Sequence, residues 1–136
     1  MIIEALMKLS MLSMVGIYFI FSNTVMPSLI RQQHGADVMI SINSVILNSA
    51  FYLLFFGSAL SSLYLIATTQ GCLRLGAVVF MIGTFTVTLL RNVPLNNQLK
   101  ESQGQAEIWD HYLTHWVKWN HVRTLSSFLS GILILL

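Results

Sequence analysis

Long stretches without a charged residue alternate with short polar interruptions along this chain. That pattern predicts helices that cross a membrane, each needing about 20 mostly apolar residues. No charge falls between Lys8 and Arg31, which predicts a first helix over about 6–29. Pro27 lies near its end, where a stop or kink is tolerated. No charge falls between Asp37 and Arg74, which predicts a second helix over about 38–67 with Ser41, Asn43, Ser44 and Asn48 in its first turns. Thr68-Thr69-Gln70-Gly71 reads as the turn that follows. A third helix is expected over 72–92, stopping or bending ahead of Pro94, because proline disfavours helix at the preceding Val93. A charged loop from Lys100 to Glu107 then leaves the membrane. After Arg123 only Thr124 to Leu136 remain, roughly 20 Å of helix and too short to cross. A fourth span therefore begins near Trp116, over 116–136, and carries Asn120, His121 and Arg123 to or inside the membrane interface.

The predicted fold is all-α, a single domain over 1–136 built as an antiparallel four-helix bundle integral to the membrane. Composition agrees: 55% of residues are hydrophobic and 9% charged, where soluble domains carry roughly 25% charged residues. The bilayer is thus the first expected partner. The net charge is only +2 and no basic cluster exists, so nucleic-acid binding is not expected. The single cysteine, Cys72, rules out an intrachain disulfide and a cysteine metal site. Met1-Ile2-Ile3-Glu4 lacks the basic leader of a signal peptide and reads as the start of the first helix. A homo-oligomer stays open.

An up-down-up-down arrangement gathers most polar residues at one end. Ser22, Asn23 and Pro27 meet Asn43 and Asn48 there, with Arg91, Asn92, Asn96 and Asn97, and with Asn120, His121 and Arg123. Polar groups at membrane depth are costly and usually mark a site. The plainer alternative is that they hydrogen-bond helices together. Five Lys and Arg fall on the polar side (Arg31, Arg91, Lys100, Lys118 and Arg123) against Lys8 and Arg74 on the other, which puts the polar side in the cytoplasm.

Trp109, Tyr112, Trp116, Trp119, Asn120 and Arg123 fall within an arc of about 100° on one helix. Flat aromatic surface beside a guanidinium fits a pocket for a planar, partly anionic, hydrophobic small molecule; an interfacial aromatic belt is the alternative, most of all for Trp109 and Tyr112. His121 points away from Asn120 and reaches that pocket only through a kink or a neighbouring helix. His111 and His115 have the spacing of a helical metal pair, but no carboxylate pair completes a site, so they read as solvated interfacial histidines and no metal is expected. In Arg91-Asn92-Val93-Pro94-Leu95-Asn96-Asn97, Pro94 frees carbonyls that need donors, and the same broken end could offer amides to a ligand.

Several strings carry a family resemblance. They are Phe21-Ser22-Asn23-Thr24-Val25-Met26-Pro27-Ser28-Leu29, Ile42-Asn43, Phe55-Phe56-Gly57, Asn92-Val93-Pro94-Leu95-Asn96, and Trp116-x-x-Trp119-Asn120-His121-Val122-Arg123-Thr124. In this the chain resembles the anthrone-oxygenase family of small membrane proteins, many of which have no assigned activity. The resemblance implies a four-helix membrane fold and, for some members, oxidation of a polycyclic anthrone to an anthraquinone without metal or flavin. It points to Pro27, Asn43, Asn92, Pro94, Asn96, Trp116, Asn120, His121 and Arg123. A cofactor-free route would use His121 as base, Arg123, Arg91 and the asparagines as oxyanion donors, and Trp116 and Trp119 as flat walls. The rival is a non-catalytic membrane protein, either an accessory subunit or a lipid- or quinone-binding bundle.

Overall fold

A computed structural model describes residues 2–136; Met1, at the start of the predicted first helix, lies outside the described residues. Every regular element among them is helical. The helices are α1 (Ile2–Leu29), α2 (Gly35–Val45), α3 (Ser49–Thr68), α4 (Gly71–Glu101) and α5 (Ala106–Leu135). By length and hydropathy α1, α3 and α4 can each cross a membrane. The long α5 carries Asp110, Lys118 and Arg123 and falls short of that measure.

Where the charge pattern predicts one helix over 38–67, the structure has two, and Asn48 is the reason. Its backbone is extended (φ −115°, ψ 170°) and its Oδ1 accepts from the Phe51 amide at 3.1 Å. Its Nδ2 donates to the Val45 carbonyl at 3.1 Å. One side chain closes α2 and caps α3, a capping arrangement worth about 1 kcal/mol. An apolar count along the chain is blind to that break. The predicted loop after the third helix is also shorter, because α4 runs on to Glu101. The turn to α5 closes through Gln103 (φ 52°) and Gly104 (φ 73°). A Cβ at Gly104 would come within 3.0 Å of Ala36, so this glycine also lets α2 lie against the turn.

Two helices contain wide, π-helical turns: Phe21–Val25 in α1, and Met81–Thr86 and Thr88–Asn92 in α4. Each of the chain's prolines follows such a turn, Pro27 after the first and Pro94 after the last. A proline removes one N–H and crowds the carbonyl a turn earlier, and a wider turn relieves that crowding. So α4 passes Pro94 rather than ending ahead of it.

Contacts between helices fix their pairing. Against α5, Tyr18 of α1 meets Thr124 and Ser22 meets Asn120. Against α4, Ser62 of α3 meets Ala77 and Phe55 meets Phe85. From α4 to α5, Thr88 meets Arg123, Asn92 meets Trp116 and Asn96 meets Tyr112. In each pair numbers rise on one helix as they fall on the other. Two apolar clusters result. One gathers Met11, Met14, Phe55, Leu65, Phe80 and Ile134 among α1, α3, α4 and α5. The other gathers Met26, Leu29, Met39, Leu99, Tyr112 and Trp116 under α2. Gly76 and Gly83 of α4 let α5 approach, a Cβ at Gly76 meeting Ser130 and Ile134 and one at Gly83 meeting Ser126. A Cβ at Gly57 of α3 would have nothing within 4 Å, so this glycine makes no such approach.

Candidate functional site

Between the two clusters lies a cavity of about 360 Å³. Its walls are largely apolar: Ile17, Tyr18 and Phe21 from α1, Ile40 from α2, Phe51, Tyr52, Phe55 and Phe56 from α3, and Trp116 from α5. The polar lining is Asn43 and Ser44 of α2, Thr88, Asn92, Asn96, Asn97 and Lys100 of α4, and Arg123 of α5. A predominantly apolar pocket with a few convergent polar groups is the usual form of a small-molecule site.

Arg123 stands at the closed end and is 6% exposed. Its Nη2 donates to Asn120 Oδ1 at 2.6 Å and its Nη1 to Thr88 Oγ1 at 3.2 Å. The guanidinium carbon lies 4.6 Å from the Tyr18 ring centre and 5.2 Å from that of Trp116. These contacts offset part of the cost of taking the charge out of water. Arg123 forms no ion pair among the described residues. Its positive charge therefore stays uncompensated and acts on the cavity beside it.

Asn120 is fully buried and holds the arginine from behind. Its Nδ2 donates to Ser22 Oγ at 2.7 Å and to the Tyr18 carbonyl at 3.2 Å. Thr124 Oγ1 donates to the same carbonyl at 3.1 Å. The wide turn of α1 begins just beyond this point, where α5 side chains take up an α1 carbonyl. Asn92 is 1% exposed and donates from Nδ2 to the Trp116 carbonyl at 3.3 Å. Asn96 accepts the Tyr112 hydroxyl at 2.8 Å.

Four buried polar atoms of cavity-lining residues have no hydrogen-bond partner in the protein. They are Arg123 Nε, Trp116 Nε1, Asn43 Nδ2 and Asn92 Oδ1. Ser130 Oγ is the other such atom in the described residues, and it lies outside the cavity. Unpaired buried polar groups are rare in native proteins and each costs about 1–3 kcal/mol. Three of these atoms are donors and one is an acceptor.

Of the residues singled out from sequence, Asn43, Asn92, Asn96, Trp116 and Arg123 line this cavity, with Asn120 behind Arg123. Three do not join them. His121 is exposed; its Nδ1 lies 3.1 Å from Ser22 Oγ, on the far side of Asn120 from the cavity. The continuous α helix at this point leaves it about 100° from Asn120, with no kink to turn it inward. Arg91 and Trp119 face outward together, the guanidinium carbon 4.9 Å from the indole centre. They flank a separate shallow groove with Pro94, His111 and His115. The wide turns of α4 set the phase that turns Asn92 inward and Arg91 out, so these two arginines share no cavity. Pro27 and Pro94 are exposed and line no part of the main cavity. The two histidine rings are 4.2 Å apart, and no group of three or more His, Cys, Asp or Glu suited to a metal occurs among the described residues.

Sequence reasoning missed Tyr18, Thr88 and Lys100 as cavity residues. Thr88, Asn92, Asn96 and Lys100 recur at every fourth position, a spacing that puts them on one helix face. That signal was present. Tyr18 sits inside an unbroken apolar run and carries none.

Comparison with known families gives one finding: the model for a family described as anthrone oxygenase matches residues 39–133. The match runs from α2 to α5 and includes Asn43, Asn92, Asn96, Trp116, Asn120 and Arg123, while the Phe21–Leu29 string precedes it. Comparison with curated proteins and with solved structures gives no match.

Proposed function

The chain belongs to the anthrone oxygenase family, and from that premise we propose that it is a membrane oxygenase acting on a flat, hydrophobic phenolic or anthrone-like compound in the Arg123 cavity. On this reading α1, α3, α4 and the second half of α5 cross the bilayer as a four-helix bundle. The α2 end then faces the cytoplasm, where the lysines and arginines concentrate. The observation that carries the reading is a buried, ion-pair-free guanidinium whose Nε, like the Trp116 indole N–H, is an unmatched donor beside aromatic walls.

The chemistry needs neither metal nor flavin. Loss of a proton from the methylene carbon opposite the keto group gives an enolate, with negative charge on the keto oxygen. Donors preorganised around that oxygen in a low-dielectric site stabilise the charge as it forms. Arg123 and Trp116 take that role. Among the described residues the cavity lining includes no carboxylate or imidazole, so the proton leaves to solvent at the open end. The electron-rich carbon then bonds to dioxygen as a hydroperoxide. Loss of its remaining C–H proton and cleavage of the O–O bond give the second carbonyl. The sum is one dioxygen consumed and one water formed for each methylene converted to a ketone. His121 acts at a distance, holding Ser22, which meets Asn120, which holds Arg123.

Oxygen uptake by purified protein with 1,8-dihydroxyanthrone tests the reading. The expected result is one dioxygen per substrate, above the protein-free rate, and a loss of roughly 10²–10³-fold in Arg123→Gln. His121→Ala should retain most activity. Uptake no faster than the protein-free rate would overturn the proposal.

A further inference from the structure

Lys100 extends the polar line of Thr88, Asn92 and Asn96 by one more turn to the rim of the cavity. Exposure rises along it, from buried Asn92 through half-buried Asn96 to exposed Lys100. Thr88, at the start of the line, is bonded to Arg123 at the closed end. The helix rise between Thr88 and Lys100 is roughly 18 Å, and Lys100 and Arg123 both line the cavity. Lys100 is in no ion pair among the described residues. Asp37, the acidic residue of α2 near this turn, lies 3.5 Å from His34 and forms no ion pair with Lys100. Between the rim and the depth the cavity is bounded by Tyr52, Phe56 and Val93, each of them exposed to what surrounds the helices. The cavity is therefore a largely apolar slot with one cation inside and a second, free of ion pairs among the described residues, at its rim.

We propose that Lys100 selects ligands that carry an acidic substituent, so that the preferred substrate is a polycyclic aromatic carboxylate with its keto oxygen at Arg123 and its carboxylate at Lys100. This rests on the cavity reading above and adds the class of substrate. Such a molecule is amphiphilic in the sense the slot is: its rings enter sideways between α3 and α4 while its charged end stays at the level of lipid headgroups. Deep burial of the carboxylate is avoided, and one of the two cations is matched without competing for the other.

The test compares binding of anthraquinone-2-carboxylate with 2-methylanthraquinone to the whole protein in zwitterionic nanodiscs, read by quenching of tryptophan fluorescence. Neither probe has a methylene to oxidise, so binding is measured apart from turnover. Wild type should bind the carboxylate roughly tenfold more tightly than the methyl compound, the scale of one charge-assisted hydrogen bond. Lys100→Gln should abolish the preference, Lys100→Arg keep it and Lys100→Glu reverse it, all with unchanged affinity for the methyl compound. A preference that survives Lys100→Gln would overturn the proposal. So would equal binding of both probes by wild type, a result that leaves the Arg123 cavity standing as a site. Binding of neither probe would overturn the proposal and the cavity reading together.

Discussion

Ser62 and Asn92 are equally buried, at 0% and 1% exposure, yet they are used differently. The Ser62 hydroxyl donates to the Ala77 carbonyl at 2.6 Å. Asn92 makes one bond and leaves its Oδ1 without a partner. The contrast holds across the regions around them. In the closed half, around Ser62, the hydroxyls of Ser58, Ser61 and Ser127 each bond a carbonyl of their own helix, at 2.7, 2.7 and 2.8 Å, Gly76 and Gly83 bring helices together, and Ser130 Oγ is the exception without a partner. In the half beneath α2, larger polar side chains bond across helices and still leave Arg123 Nε, Trp116 Nε1, Asn43 Nδ2 and Asn92 Oδ1 without partners. Small hydroxyls at membrane depth can be satisfied locally; an asparagine or arginine there has more hydrogen-bonding capacity than its neighbours meet. Four unpaired atoms cost stability, a cost that the proposed binding role would offset.

The contrast breaks most sharply at Arg123. Arg123→Gln should cost roughly 10²–10³ in kcat/KM for an anthrone while shifting detergent melting by only a few degrees, measured by oxygen uptake and thermal denaturation on the same preparation. If melting collapses and activity per folded molecule does not change, the arginine belongs with the closed half. Gly76→Leu is the opposite probe. It should destabilise by about 1–3 kcal/mol, through overpacking against Ser130 and Ile134, and leave the affinity of folded protein for anthraquinone unchanged. Asn48→Ala should cost about 1 kcal/mol and increase hydrogen exchange across 45–51, because one side chain ends α2 and starts α3. The smallest effect belongs to Arg91→Ala, outside the cavity. It should change stability and anthrone oxidation by no more than about 1 kcal/mol equivalent, the range of an exposed cation–π contact. A large activity loss there would return Arg91 to the site.

Much of this was legible in the chain. Charge-free stretches marked α1, α3 and α4, and the polar load at one end marked where the cavity lies. Asn92, Asn96, Trp116 and Arg123 were readable because each is an expensive residue in an apolar context. Which neighbour faces inward was harder. Asn92 and Arg91 differ by about 100° of helix, and an almost wholly apolar segment offers no amphipathic face to fix the rotation. The wide turns of α4 then shift the phase again. On regular α5 the arc containing Trp116, Asn120 and Arg123 survived, and His121 stayed outside it as the helical angle required. Trp119, at the edge of that arc, went instead to Arg91. Asn48 was visible as a polar residue, but its capping role depends on backbone angles that periodicity does not report.

The wide turn at Phe21–Val25 carries one more consequence. A π turn holds a surplus residue relative to regular α geometry, and the helix beyond it is rotated accordingly. Deleting a single residue from this turn would let α1 relax to regular spacing with Met26 and Leu29 close to their present directions, whereas a deletion in the regular turns before it would swing both by about 100°. Both are anchors of the cluster beneath α2. The reading frame of contacts in this protein is thus set by an insertion that the helix absorbs without breaking. A change of length by one residue should therefore be tolerated at this turn and disruptive in the regular turns around it.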